Sequence, residues 1–320
     1  MIPRFIVIPL GLLLASGRLS AAEPRSVAEI LAAHDRAVMH DLDEYVKAHP
    51  KADDRDEAYS AIFDRAIDHD WFADAEPIAL RYLKDHPDGG VKPMARIVET
   101  MARAQAGKFA EALATYKELM KGIDRPDQEE FATNFADHLA GAATTAGEVK
   151  VAREVYELLL GKFDRPELKQ KVEEDLARLD RIGKPAPAIA ATDIAGKPVA
   201  LADYKGKYVL VDFWATWCAP CVAEIPSLQA AYAKHHPAGF EVLAVSLDDK
   251  PDAVVDYVKA RKLPWRQVHN ATAGVDVVDA FGVANIPASF LIGPDGTILR
   301  LDLRGQSLER ALGSLLKPGK

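Results

Sequence analysis

Cys218 and Cys221 are the only two cysteines among 320 residues, and they stand three positions apart in Trp217-Cys218-Ala219-Pro220-Cys221. The apolar run Tyr208-Val209-Leu210-Val211-Asp212-Phe213-Trp214 that precedes them predicts a strand feeding a helix. Cys218 then falls near the helix N-terminus, where free backbone N–H groups and the macrodipole stabilise a thiolate. Cys221 lies one turn further on, close enough to close a small disulfide ring. A reversible dithiol is the chemistry this spacing suits best.

Other uses of the pair stay open at this point. A structural disulfide across two intervening residues closes too small a loop to constrain the unfolded chain much. A structural zinc site wants four N or S ligands. No second cysteine pair exists, and His235-His236 is the only histidine cluster downstream within reach. Two thiolates suit copper(I), although no Met- or His-rich tract accompanies them.

The elements that must position this pair belong to a chain long enough for about two domains. Its 49% hydrophobic and 28% charged residues are ordinary for a soluble globular protein. A formal net charge of −8, with no basic stripe, argues against a nucleic-acid partner. Met1-Ile2-Pro3-Arg4 leads into an apolar run from Phe5 to Leu14, and small residues follow at Ser20-Ala21-Ala22. This predicts a signal peptide over residues 1–22, cut before Glu23, with an uncleaved anchor as the alternative. Export places the dithiol outside the cytosol, where disulfides persist unless something reduces them.

Residues 23–181 read as helices throughout. The candidates are Val27–Ala48, Asp54–Asp68, Ala73–Lys84, Lys92–Ala106, Phe109–Lys121, Gln128–Thr145, Glu148–Leu160 and Glu167–Arg181, separated by Gly and Pro breaks. Gly107, Ala112, Tyr116 and Asp124-Arg125-Pro126 recur as Gly147, Ala152, Tyr156 and Asp164-Arg165-Pro166, each offset by 40 residues. A helix pair cannot bury its apolar stripe alone, so stacked pairs are the natural outcome. The pattern resembles tetratricopeptide repeats, with a period longer than their usual length of about 34. A concave surface for a protein partner and a plain helical spacer both fit. His34, His40, His49, His69, His86 and His138 fall at no metal-ligand spacing.

Ile182-Gly183-Lys184-Pro185-Ala186-Pro187 breaks the helical pattern. Beyond it, strands Val199–Leu201, Tyr208–Trp214, Phe240–Leu247, Ser289–Ile292 and Ile298–Leu303 alternate with helices near Cys221–Lys234, Ala253–Arg261, Gly274–Phe281 and Leu308–Leu316, an α/β pattern. Gly293-Pro294-Asp295-Gly296 reads as a hairpin turn, which makes the last two strands antiparallel neighbours. Trp265 falls in an insertion and receives no role.

The run Val211-Asp212-Phe213-Trp214-Ala215-Thr216-Trp217-Cys218-Ala219-Pro220-Cys221, with Glu224 and Pro226, resembles the thioredoxin superfamily with its AhpC/TSA-like redoxin domains. More narrowly, it resembles the TlpA/ResA-like extracytoplasmic thiol–disulfide oxidoreductases. Phe281-Gly282-Val283-Ala284-Asn285-Ile286-Pro287 and Phe290-Leu291-Ile292-Gly293-Pro294-Asp295-Gly296 carry the same likeness, as does Gly183-Lys184-Pro185-Ala186-Pro187. A single-cysteine peroxidase of this fold would want a proline seven residues before its cysteine, where this chain has Val211. The expected architecture is an all-α helical-repeat domain over 23–181 and a thioredoxin-fold α/β domain over 182–320.

The resemblance implies roles. Cys218 is expected to attack, as the more exposed cysteine, and Cys221 to resolve the mixed disulfide. Asp212 falls where thioredoxins bury a carboxylate that handles the resolving thiol's proton, and a carboxylate inside an apolar strand is costly without such work. Glu224, one turn beyond Cys221, is placed to tune both thiols, with a solvated helix position as its alternative. Pro287 matches the cis-proline facing the dithiol, with the Ile286 backbone presented to a substrate strand. Trp217 and Pro220 join Ile286 and Pro287 as the substrate-binding surface, whereas Trp214 packs inside.

The implied function is thiol–disulfide exchange, reducing in direction, on disulfide-bearing exported proteins, among them an apocytochrome or a copper-site protein. An upstream membrane or periplasmic thiol donor would supply electrons, and neither cofactor nor metal is needed. A client-binding scaffold dominated by the helical domain and a copper(I)-handling protein are the rival readings.

Overall fold

A computed structural model describes residues 26–123, 125–272 and 276–316. The expected signal peptide over 1–22 lies outside these residues, as do Asp124 of the repeat and the first residues of the expected helix Gly274–Phe281.

Eight helices come first: α1 Val27–Ala48, α2 Arg55–Asp68, α3 Phe72–Asp85, α4 Lys92–Gln105, α5 Phe109–Lys121, α6 Glu129–Ala146, α7 Val149–Leu160 and α8 Pro166–Leu179. Ser26 starts α1 with a capping box: Glu29 N donates to its Oγ at 3.2 Å and Ser26 N donates to Glu29 Oε2 at 2.7 Å. Gly107 and Gly147 both adopt left-handed φ, +76° and +87°. The next residues, Lys108 and Glu148, both donate five positions back, to Arg103 O and Ala143 O at 2.8 Å. Ala112 and Ala152 are fully buried where the helices meet, and Tyr116 Oη donates to Val155 O at 3.4 Å.

The chain then crosses as an extended segment, with Gly183 N donating to Ile298 O at 2.8 Å and Ala186 N to Gly296 O at 2.9 Å. Strands and helices follow in the order β1 Ala190–Thr192, β2 Pro198–Ala200, β3 Tyr208–Trp214, α9 Ala219–His235, β4 Phe240–Ser246, α10 Pro251–Arg261, β5 Arg266–His269, α11 Val277–Phe281, β6 Ala288–Ile292, β7 Ile298–Leu301 and α12 Gly305–Leu315. β1 and β2 form a small antiparallel pair. The main sheet runs β5-β4-β3-β6-β7, with β3 parallel to β4, β4 parallel to β5, and β6 antiparallel to both β3 and β7. The Gly293–Gly296 turn joins β6 to β7 as expected, closed by Gly296 N on Gly293 O at 2.9 Å. This central sheet is a thioredoxin fold.

Two strands were not anticipated. β1 is too short to show a pattern. β5 carries Arg266, Gln267 and His269, so its hydropathy hides it, and Trp265 beside it is buried against Tyr232 rather than lying in a bare insertion.

Alternation along β3 decides which side chains meet the dithiol. Val209, Val211 and Phe213 point to one face, where Phe213, Phe281 and Phe290 form a triangle with ring centroids 5.0–5.8 Å apart. Truncating one of these rings to alanine costs about 3–5 kcal/mol. Leu210, Asp212 and Trp214 take the opposite face, the one covered by α9 and α12. The carboxylate thus arrives beneath the cysteine helix because of its even register with Leu210 and Trp214.

Candidate active site

β3 ends at Trp214, and the chain turns through Ala215-Thr216-Trp217 into α9. A carboxylate holds this turn. Asp248, just past β4 and only 5% exposed, accepts Thr216 N at 3.2 and 3.1 Å, Thr216 Oγ1 at 2.5 Å and Ser246 Oγ at 2.8 Å. Nothing in the sequence singled out Asp248, which reads there as one of several acids in a surface loop.

α9 begins at Ala219, two residues before its expected start, so Cys218 is the N-cap residue itself. Cys221 occupies the third helical position, and its N–H donates to Cys218 Sγ at 3.3 Å. The two cysteines form a disulfide with Cα atoms 5.2 Å apart. Their exposures are 5% and 4%. Cys218 is therefore not distinctly the more exposed of the two in this closed state, because the bond holds both sulfurs against one apolar cluster.

Behind Cys221 lies a cavity of about 20 Å³ bordered by Asp212, Glu224, Ser227, Pro287 and Arg304. That is room for roughly one water. Burial pushes the Asp212 carboxyl up to about 7, opposed by the charge of Arg304 and reinforced by that of Glu224. Glu224 is half-buried and accepts Ser227 Oγ at 3.1 Å. It borders this cavity.

The Ile286–Pro287 peptide is cis. Pro287 borders the cavity, and Ile286 packs against the clusters on both faces of the sheet. Arg304, the N-cap residue of α12, donates through Nη2 to the Pro287 carbonyl. Sequence reasoning missed Arg304, since a lone arginine between a strand and a helix carries no signal of its own.

Trp217 is 64% exposed beside Cys218, and Pro220 is exposed too. Trp214 is buried, its Nε1 donating to Gln267 Oε1 at 3.1 Å. Of the eight predicted site residues, Asp212, Cys221, Glu224 and Pro287 meet at one cavity, whereas Trp217 and Pro220 lie on the surface above the disulfide bond. Among the described residues, no group of three or more His, Cys, Asp or Glu side chains is arranged to hold a metal ion.

A dithiol closed across the first turn of a helix, backed by a carboxyl that titrates near neutrality, can exchange a disulfide and move a proton. Comparison with known proteins agrees. Residues 182–300 match the AhpC/TSA family. The thiol-disulfide oxidoreductase ResA of Bacillus thuringiensis subsp. konkukian is 36% identical over 136 residues, covering 42% of this chain and 77% of that protein. ResA of Bacillus subtilis is 32% identical over 140 residues, covering 43% of this chain and 77% of its own length. The crystal structure of the thioredoxin domain of a thiol-disulfide oxidoreductase from Bacteroides vulgatus is 34% identical, with a TM-score of 0.41, covering 42% of this chain and 98% of that one. With its dithiol, its thioredoxin fold and the two ResA relatives, the chain belongs to the ResA-like thiol-disulfide oxidoreductases.

Proposed function

We propose that this oxidoreductase works outside the cytosol as a reductase of protein disulfides. The single observation that carries the reading is the convergence of Asp212 and Cys221 on one water-sized cavity. In the reducing direction, the Cys218 thiolate attacks a client disulfide, forming a Cys218–client bond and expelling the client's other sulfur as a thiolate. Asp212, through a water in the cavity, takes the proton from the Cys221 thiol. The Cys221 thiolate then attacks Cys218 Sγ, expelling the client's second sulfur and leaving the Cys218–Cys221 disulfide. The client gains two electrons and the dithiol loses two.

Trp217, Pro220, the Ile286 backbone and Pro287 form the docking surface for the client strand. Glu224 biases Asp212 toward its protonated form, so that it can return a proton when the disulfide is reopened. The apolar stretch ahead of Glu23 supports export, and among the described residues no helix is long and apolar enough to cross a membrane. An exported dithiol needs a thiol donor on the membrane or in the periplasm. The division into a helical, tetratricopeptide-like domain over 23–181 and a thioredoxin-like domain over 182–320 belongs to the same proposal.

The reduction potential of the Cys218–Cys221 couple, measured against glutathione and dithiothreitol buffers, tests the direction. A value near or below about −270 mV supports a reductase, and one near about −120 mV makes it an oxidant.

A further inference from the structure

Two arginines at the end of the helical region reach the two sides of the loop that carries Pro287. Arg178, in the last turn of α8, donates through Nη2 to both carboxylate oxygens of Asp302, at 3.1 and 2.8 Å. Arg181, just beyond α8, donates through Nη1 to the Ala280 carbonyl of α11 at 3.0 Å, at the head of the loop. Asp302 follows β7 in left-handed conformation, φ +54°. Its N–H donates to Ser289 O at 2.8 Å, and its carboxylate accepts Ser289 N at 3.4 Å. Two residues on, Arg304 Nη2 lies 3.8 Å from Asp302 Oδ1 and donates to the Pro287 carbonyl.

Asp302 is thus shared unequally between two arginines. Arg178 engages it closely, so its pull on Arg304 is weak and Arg304 is left for Pro287 and the cavity. We infer that the helical region is a working part of the redox site: Arg178, by occupying Asp302, keeps Arg304 on the Pro287 carbonyl, where Arg304 acts as a positioning residue. This rests on the role proposed above for Asp212.

The groups facing Asp212 set the sign of the effect. Cys221 and Glu224 come from α9 and Arg304 from the start of α12. The in-register neighbours Ala244 on β4 and Ser289 on β6 carry no charge. Arg304 favours the carboxylate, Glu224 favours the protonated form, and Asp302 stands beyond Arg304. Losing Arg178 strengthens the pull of Asp302 on Arg304, draws positive charge away from Asp212 and frees the Pro287 turn together.

The test uses the reduced full chain and Ellman's reagent. One thionitrobenzoate leaves as Cys218 attacks, and a second leaves as Cys221 displaces it from Cys218. The pH profile of the second phase reports the step at Cys221. Arg304→Gln moves its midpoint upward by roughly one pH unit. Arg178→Gln moves it the same way by less, and the double variant moves no further than Arg304→Gln alone. Asp302→Asn, which removes the pull on Arg304, leaves the midpoint in place or lowers it. Arg153→Gln, which loses only an ion pair with Asp180, leaves the profile unchanged.

An unshifted Arg178→Gln profile, additive shifts in the double variant, or an upward shift in Asp302→Asn overturns the inference. If Arg178→Gln does not fold, Asp302→Asn and Arg304→Gln decide it: an upward shift in the first, or no upward shift in the second, overturns the inference. Asp212→Asn separates the two levels. If it leaves the second phase unchanged, the role proposed for Asp212 fails. If it changes that phase while the arginine variants do not, only the coupling fails.

Discussion

The hydroxyl of Thr216 donates to Asp248 Oδ1 at 2.5 Å, tying the turn before Cys218 to the end of β4 across 32 residues of chain. The same carboxylate accepts Thr216 N and Ser246 Oγ, so it fixes both the backbone and the side chain of the turn. Hydrogen bonds to a buried charged group contribute about 1.5–3 kcal/mol, and orphaned partners cost more. Asp248→Ala is expected to lower the denaturation free energy of the oxidised protein by about 3 kcal/mol, with Asp248→Asn losing less. Attack by Cys218 should slow in step, because the turn that sets its position is loosened. Urea unfolding and the first phase of Ellman's reaction measure the two effects, and an unchanged Asp248→Ala protein would sink the argument.

Asp212 has a signed pH dependence. Its folded value is pushed up to about 7 from 3.8, so the folded state holds this proton more tightly than the unfolded chain does. The stability linked to it is fully present below the unfolded value and is lost as pH rises through the folded one. Integrated from about pH 4 to pH 8, the loss is about 4 kcal/mol. Asp212→Asn has no such loss. The variant should gain on the parent steadily across that window and level off above it, while its thiol exchange suffers. Urea titrations of both oxidised proteins at a series of pH values check this, and a gap that widens toward acid would reverse the sign.

What was legible in the sequence divides along chain distance. The dithiol, the strand ahead of it and the cis-proline are local patterns, and Tyr208–Trp214 runs from end to end as expected. Asp248 and Arg304 depend on encounters 32 and 17 residues away in the chain, made by single polar residues in ordinary loops. β5 hid for a different reason. Its buried polar side chain Gln267 serves Trp214, so the strand lacks the apolar pattern that announces one. Asp212 was recognisable because a carboxylate in an apolar run demands an explanation, but its partner Arg304 was not.

Gly107 and Gly147 separate a local backbone cost from one that reaches β7. Both Gly107 and Gly147 have left-handed φ, yet an added Cβ at Gly107 meets nothing within 4 Å, whereas at Gly147 it strikes the Arg300 guanidinium. Gly107→Ala should cost about 1–2 kcal/mol, the backbone term alone. Gly147→Ala should cost that much and more, because Arg300 of β7 must leave the C-terminus of α6. Arg300→Ala in the Gly147→Ala background should return the excess, leaving the pair of glycine variants nearly equal. A double-mutant cycle by thermal or urea unfolding reads this directly. Equal losses for the two single glycine variants would mean that Arg300 moves aside freely.

Trp217 tests the docking surface. At 64% exposed it buries little area of its own, so Trp217→Ser should change stability by less than about 0.5 kcal/mol. An exposed ring beside the attacking sulfur contributes to client binding through the area that it covers there, about 1–3 kcal/mol for a side chain of this size. KM for a protein disulfide should therefore rise by roughly 5- to 150-fold, in line with that range. Ellman's reagent, which is too small to span the surface, should react at nearly the parent rate. The split between the two substrates is the informative quantity. A parallel loss on both would place Trp217 in the chemistry of Cys218, and no loss on either would remove it from the client surface.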